Sequence, residues 1–378
     1  MQVRLGRHRS PICILALPTM RPPDTKIKVG VLGATGLVGQ LFVEYLLDHP
    51  WFEIGQLTGS DRTIGQRYGT AVDWLCESEL PDRVADIVVE ESRPREGVEL
   101  VLSALHRDAA LAIEPLYAAS GIPVVSNASA FRMESGVPLI IPEVNGSHLQ
   151  EVRQNTSGGF IVTSPNCSTI GLASALAPLE RAFGIEHLHV TTMQALSGAG
   201  VPGVAAMHAT ANVIPYIGSE EDKLESEPQK ILGLFTGDAE PADFAVSAQC
   251  NRVPVVDGHL CAVSVKLRSP VRVEDVRRIM SDFRGELDAE VLPTKPSQFL
   301  RLYDSEAEPQ PRLHVNRDNG MSIGIGRIRA CPINDIRFVC LVHNTKRGAA
   351  GNALLIAELA YARGMIGAHR SSVRLAEG

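Results

Sequence analysis

Lys26-Ile27-Lys28-Val29-Gly30-Val31-Leu32 runs directly into Gly33-Ala34-Thr35-Gly36-Leu37-Val38-Gly39. The first seven residues read as a buried strand. The next seven carry a glycine at every third position, and residues 40–47 have helical character. Strand, glycine turn and helix together are the context that lifts a glycine triplet above chance. Gly33, Gly36 and Gly39 permit a tight turn, close approach of the main chain to a pyrophosphate and close helix-to-strand packing. A helix starting near Leu37 and Val38 offers free N–H groups to phosphate oxygens. The alternative is an ordinary glycine turn.

Working outward, residues 53–57, 87–89, 100–103 and 123–126 read as further strands alternating with helical stretches such as 108–119. That alternation is the signature of a doubly wound parallel sheet, hence an α/β fold of Rossmann type. Beyond residue 167 the pattern changes. Residues 186–194, 248–254, 259–267 and 324–329 read as strands and 273–283 as a helix, which predicts an α+β second domain with a largely antiparallel sheet. An Ala- and Leu-rich helix over 349–365 is placed to pack back on the first domain.

The end of the second strand bears on which dinucleotide binds. Leu57-Thr58-Gly59-Ser60-Asp61-Arg62-Thr63 brings hydroxyls and a guanidinium to the expected position of the adenosine ribose. An acidic residue there binds a free 2′-hydroxyl, whereas Arg favours a 2′-phosphate. Ser60, Arg62 and Thr63 therefore point to NADP, with Asp61 as the counter-argument and a polar surface turn as the alternative.

Bulk properties narrow the function. The net charge of −7 argues against a nucleic-acid or acidic-membrane binder. No apolar run is long enough to span a bilayer. Seven cysteines without CxxC spacing fit a reducing, cytoplasmic setting better than a disulfide framework or a structural zinc site, and no metal-ligand spacing is present. The first 25 residues combine Arg4, Arg7 and Arg9 with a short apolar stretch at 12–17, yet Pro18 follows and a small-residue cleavage site is lacking. They read as a disordered extension, or as sequence ahead of a true start at Met20.

Reactive candidates centre on Ser164-Pro165-Asn166-Cys167-Ser168-Thr169-Ile170. Helical spacing of apolar residues after Cys167 puts its sulfur at a helix N-terminus, where free N–H groups and the dipole favour a nucleophilic thiolate. The competing reading is a buried structural cysteine. Arg252 and His259 flank a turn, the first suited to a carboxylate, the second to proton transfer. Glu220-Glu221-Asp222-Lys223 and Arg132 add charges of both signs. Each has an ordinary alternative as a solvated or core residue, and sequence alone does not bring the segments together.

Six segments in order resemble the aspartate-β-semialdehyde dehydrogenase family of archaeal and fungal type. They are Gly-Ala-Thr-Gly-Leu-Val-Gly at 33–39, Ser-Asn-Ala-Ser-Ala-Phe-Arg-Met at 126–133, Pro-Asn-Cys-Ser-Thr-Ile at 165–170, Gln-Ala-Leu-Ser-Gly-Ala-Gly at 194–200, Asn-Arg-Val-Pro-Val at 251–255 with His259, and His-Asn-Thr-Lys-Arg-Gly-Ala-Ala-Gly at 343–351. The resemblance implies a glyceraldehyde-3-phosphate-dehydrogenase-like architecture: an extension at 1–25, an NADP-binding domain from 26–165 and 345–370, and a catalytic and dimerisation domain at 166–344. It implies Cys167 as the nucleophile that forms an acyl-thioester and His259 as the acid/base. Arg252, Gln194 and Glu220 would hold the amino-acid end of the substrate, and Arg132, Asn166 and Lys223 the acyl phosphate or inorganic phosphate. Ser197, Gly198 and Asn344 would lie along the nicotinamide half of NADP, Thr35 with the glycines in the turn, and Ser103 near the diphosphate. The implied reaction is reductive dephosphorylation of L-aspartyl 4-phosphate, on the route to lysine, threonine and methionine, by a homodimer or homotetramer. A malonyl-CoA reductase of the same fold and a non-catalytic NADP-binding paralogue are the alternatives. The chain departs from the family at Val201 to His208 and at His106, where a Pro is usual.

Overall fold

The computed structural model describes residues 25–152 and 158–367; the expectations for the first 24 residues and for 368–370 lie outside them. Strands β1 (Ile27–Leu32), β2 (Phe52–Leu57), β3 (Leu100–Ser103), β4 (Val124–Ser126) and β5 (Ile161–Thr163) form a parallel sheet in the order β2-β1-β3-β4-β5. The chain leaves β1 for one side and returns to β3 on the other. The switch point therefore lies between β1 and β3, where Leu32 pairs with Ser103. A crevice at the carboxyl ends of these two strands is where such sheets bind ligands. The stretch 87–89, expected as a strand, makes only an isolated bridge, Val88 with Arg67, and Glu90 just beyond it makes another with Thr58. Val88 is half exposed, and only Glu90 reaches the β2 edge of the sheet, its N–H donating to the Leu57 carbonyl.

The second sheet has six strands. In chain order they are β6 (Ile185–Gln194), β9 (Ala245–Arg252), β10 (His259–Leu267), β11 (Leu300–Leu302), β12 (Ile323–Ala330) and β13 (Ile336–Val342); a small hairpin, β7 (Leu234–Phe235) with β8 (Ala239–Glu240), stands apart. The order is β11-β12-β13-β10-β6-β9, with three antiparallel pairings in the centre and a parallel pairing at each edge. Alternate side chains of β10 from His259 to Leu267 are buried, the period-2 pattern of a sheet covered more fully on one face.

Two helices tie the sheets together. Cys167–Phe183 follows β5 and is buried along nearly its whole length; Ile170, Leu172 and Leu176 join the core beneath the second sheet with Cys261, Phe338 and Val342. The C-terminal helix Gly351–Ala362 is buried on every side, and its Leu354, Leu355 and Ile356 sit in the core of the first sheet with Val29, Phe42 and Val125. A helix that is apolar all round needs neighbours all round, which explains its place inside the core rather than on the surface.

Candidate active site

Strand register assembles one wall of the site. In the parallel pair of β6 and β9, Gln194 stands opposite Arg252. In the antiparallel pair of β10 and β6, Leu260 stands opposite Met193, so His259 opens β10 at the same edge. His259 in turn faces Val342, the last residue of β13, and His343 and Asn344 follow it. Residues separated by up to 150 positions are thus brought to one end of four adjacent strands.

The main chain of Ala195 fixes two of them. Its carbonyl accepts from Arg252 Nη1 at 2.6 Å, and its N–H donates to His259 Nδ1 at 3.1 Å. An amide N–H can only donate, so Nδ1 is the bare nitrogen and Nε2 carries the proton. Nε2 is buried and has no partner. Burial, then the positive charge of Arg252, push the His259 pKa down to about 3. In this state His259 is a neutral hydrogen-bond donor, and the base half of its expected acid/base role has no free lone pair to act through. Gly198 covers both groups: a Cβ there would lie 2.9 Å from Arg252 Nη1 and 2.9 Å from His259 Cε1. Asn344 closes this side, donating to Ser197 Oγ at 2.8 Å and accepting from the Gly258 N–H at 2.8 Å.

The opposite wall is built around Cys167, the first residue of its helix. Asn166 is the N-cap, its Oδ1 accepting from the N–H groups of Ser168 at 3.0 Å and Thr169 at 3.3 Å. Asn166 Nδ2 reaches the Glu220 carboxylate at 2.9 and 3.1 Å, which Lys223 Nζ meets at 2.7 Å and Gln194 Nε2 at 3.2 Å. Burial would raise the Glu220 pKa, but these partners outweigh it and hold the carboxyl below its ordinary value. Glu220 is therefore a hub of the site rather than a residue on a solvated helix face. Arg132 is buried, with Nη1 3.0 Å from Glu227 Oε1, Nη2 2.8 Å from the Asn127 carbonyl, and Nε–H without a partner.

The helix-start argument does not decide the state of Cys167. Burial and the negative charge of Glu220 push its thiol up to about 12, against the opposing pull of Arg132, Lys223 and the Ser168 N–H. Burial thus works in the opposite direction to the helix-start expectation of a depressed thiol pKa. Gly348 presses on the same residue, since a Cβ there would lie 2.8 Å from Cys167 Cβ.

A cavity of about 1260 Å³ opens at the switch point, lined by Gly33, Thr35, Gly36, Gly59, Ser60, Asp61, Arg62, Ala104, Leu105, His106 and Val201 among others. Its donor set fits a dinucleotide. The helix Leu37–Leu46 begins at Gly36 with no side-chain cap, leaving the first-turn N–H groups of Leu37 and Val38 for an anion. A Cβ on Gly39 would lie 2.1 Å from the Gly33 carbonyl, so only glycine lets the helix sit this close to the turn. Ser60 and Arg62 line the cavity; Thr63 does not, because its hydroxyl closes the turn on the Ser60 carbonyl at 3.0 Å. Ser103 is also absent from the lining. It is fully buried, its hydroxyl has no hydrogen-bond partner among the described residues, and the three residues after it form the wall.

Three features fall outside the sequence reading, and two of them had no clear signature in the sequence. Ala195 acts through its backbone alone. Gly348 acts by lacking a side chain. Glu227 had a signal: with Glu220 and Lys223 it falls at i, i+3 and i+7 on the helix Glu220–Leu232, one face of which lines the site.

A two-domain α/β fold with a dinucleotide crevice, and a helix-start cysteine set among the charges of Glu220, Arg132, Lys223 and Arg252, fits the class of dinucleotide-dependent aldehyde dehydrogenases. Two family models agree, the semialdehyde dehydrogenase NAD binding domain over residues 28–152 and the semialdehyde dehydrogenase dimerisation domain over 176–347. The chain belongs to the aspartate-semialdehyde dehydrogenase family. An aspartate-semialdehyde dehydrogenase of Archaeoglobus fulgidus is 47% identical over 340 residues, covering 88% of this chain and 98% of the relative. One of Cryptococcus neoformans is 44% identical over 362 residues, covering 91% and 99%. The crystal structure of the Candida albicans enzyme with NADP superposes with a TM-score of 0.85 at 41% identity, covering 90% of this chain and all of that one.

Proposed function

We propose that this protein reduces L-aspartyl 4-phosphate to L-aspartate 4-semialdehyde and inorganic phosphate with NADPH, through a thioester on Cys167, as a step of amino-acid biosynthesis. The observation that carries the reading is the presence of two cationic groups close enough to Cys167 to act on its charge: Arg132 with Lys223, and Arg252. A substrate with a phosphate at one end and an α-carboxylate at the other needs two such groups. The names of the relatives, and the NADP in the Candida structure, support the substrate and the cofactor.

Arg132 and Lys223 bind the acyl phosphate and favour the ionised form of Cys167. The sulfur attacks the acyl carbon, an S–C bond forms and the C–O bond to phosphate breaks; the phosphate keeps that electron pair, takes up the proton lost by the Cys167 thiol and leaves as hydrogen phosphate. His259 Nε2–H donates to the carbonyl oxygen as negative charge builds on it. NADPH, when bound, supplies the hydride that reduces the thioester carbon. The S–C bond then breaks and the aldehyde leaves. Arg252, with Gln194 beside it, holds the amino-acid end. Ser60 and Arg62 would meet the 2′-phosphate of the cofactor, and the N–H groups of the first turn after Gly36 its diphosphate, a reading supported by Ser60, Arg62 and Gly36 lining the cavity.

The match to a dimerisation domain supports a homo-oligomer, which we propose is a dimer or tetramer built through the second sheet. No helix among the described residues is long and apolar enough to cross a membrane. The six described cysteines are free, which fits a cytoplasmic enzyme.

The decisive assay is phosphate-dependent formation of NADPH from aspartate 4-semialdehyde and NADP, run beside NADPH oxidation with malonyl-CoA. The first reaction is expected to dominate, and Cys167→Ala is expected to abolish turnover while NADPH still binds. Preference for malonyl-CoA, or substantial turnover by the Ala variant, overturns the reading.

A further inference from the structure

Glu227 is 1% exposed and lies two helical turns beyond Glu220. Its two oxygens serve different segments. Oε1 accepts from Arg132 Nη1 at 3.0 Å, and Oε2 accepts from the N–H of Asn166 at 2.7 Å. The first partner is the buried guanidinium assigned to phosphate. The second is the peptide group of the N-cap residue that precedes the nucleophile. One turn further on, Lys230 Nζ holds the carbonyls of Arg132 and Glu134 at 2.7 and 3.0 Å, so the same helix fixes that segment by its main chain as well.

The chemistry of the arrangement is specific. A guanidinium has five N–H donors in a rigid plane. With Nη1 committed to Glu227 and Nη2 to the Asn127 carbonyl, the plane is set and the buried Nε–H is left without a partner. A carboxylate can accept from both Arg132 and the Asn166 amide. A carboxamide has one acceptor oxygen, and its NH2 would meet the second donor head on.

We propose that Glu227 is a positioning residue that locks the phosphate-binding arginine and the nucleophile's turn into one unit, presenting the unpaired Nε–H of Arg132 to the phosphoryl oxygens next to Cys167. The inference rests on the functional reading above and deepens it. Glu227 touches neither substrate nor cofactor; it acts through Arg132 and Asn166.

The test compares the unaltered enzyme with Glu227→Gln, Arg132→Lys and the double variant. Glu227→Gln is expected to raise the KM for phosphate about tenfold or more, the scale of a charged hydrogen bond lost. The KM for aspartate semialdehyde and the dissociation constant of NADP are expected to stay within about twofold, the scatter of a remote site. If Glu227 acts through Arg132, the double variant binds phosphate no worse than Arg132→Lys alone. A purely structural glutamate gives additive losses in all three constants, and that result, or an unchanged phosphate KM, overturns the proposal. Should the Gln variant fail to fold, Glu227→Asp keeps the charge and withdraws it by one methylene, and the same split is expected. A second readout is independent of the reaction: protection of Cys167 from iodoacetamide by inorganic phosphate, which weakens in the Glu227 variant. An unaltered enzyme inactive on aspartate semialdehyde sinks the functional reading; an active one whose phosphate protection survives Glu227→Gln sinks only the role of Glu227.

Discussion

The backbone N–H of Ala195 lies 3.1 Å from His259 Nδ1 and settles which ring nitrogen is protonated. The buried, partnerless Nε2 is then a free donor, on a ring whose pKa is pushed down to about 3. The sign of the linkage follows. The folded pKa is depressed below the ordinary 6.5, so the unfolded chain binds the extra proton between the two values. The stability contributed by the neutral ring is present above pH 6.5 and is lost as pH falls toward 3. The profile of kcat/KM is accordingly expected to show no limb near pH 6.5 that His259→Asn removes, and that variant is expected to lose stability less steeply in acid. Titration of activity and of chemical unfolding from pH 4 to 8 checks both. A limb near 6.5 that vanishes in the variant contradicts the donor assignment.

Cys167 tests the balance of burial against charge. Glu220 raises its pKa while Arg132 and Lys223 lower it. Glu220→Gln removes the opposing negative charge and lowers the thiol pKa, and alkylation of Cys167 by iodoacetamide at pH 8 is expected to speed up by at most roughly tenfold for each unit by which the pKa falls. Lys223→Met is expected to slow it. Equal rates in the three proteins would mean that the surrounding charges do not act on the sulfur.

The same residue shows where sequence reading succeeds and where it stops. The glycine turn at 33–39 was legible because strand, turn and helix are contiguous and each glycine has a local reason. Cys167 at a helix start was legible too, since apolar spacing and the Asn166 cap are local. Its protonation was not, because burial and the approach of Glu220 come from packing 53 residues away in the chain. Arg252, Gln194 and His259 were candidates by residue type, but their meeting depends on the registers of β6, β9 and β10. β5, with three residues, is too short to show periodicity, and Ile87 to Val89 has strand-like composition without a partner strand. Thr63 and Ser103 have side chains suited to a nucleotide site, yet one hydroxyl closes a turn and the other is fully buried.

Arg62 lines the dinucleotide crevice with an exposed side chain and Asp61 beside it. If its guanidinium meets a 2′-phosphate, Arg62→Ala is expected to raise the KM for NADP by about ten- to a hundredfold, the range for one charge-assisted contact. The KM for NAD is expected to change little. Kinetics with both cofactors give the answer directly, and parallel losses for the two would place Arg62 outside the discrimination.

The fully buried Arg347 and Glu143 form a bidentate pair at 2.8 and 2.6 Å, with the guanidinium 5.2 Å from the Phe299 ring centre. The pair joins the segment after β13 to the segment before β5, and Gly348, next in sequence, packs on Cys167. Removing one partner leaves the other charge buried without compensation, which costs about 3–5 kcal/mol. Arg347→Met is therefore expected to lower the unfolding free energy by about that amount and to reduce kcat by loosening the seat of the nucleophile. Arg347→Met with Glu143→Gln carries no unpaired charge and is expected to recover part of the stability, because the two losses share one interaction. Denaturant titration of the three variants separates the terms. If the double variant is less stable than Arg347→Met alone, the pair stabilises through packing rather than through mutual neutralisation.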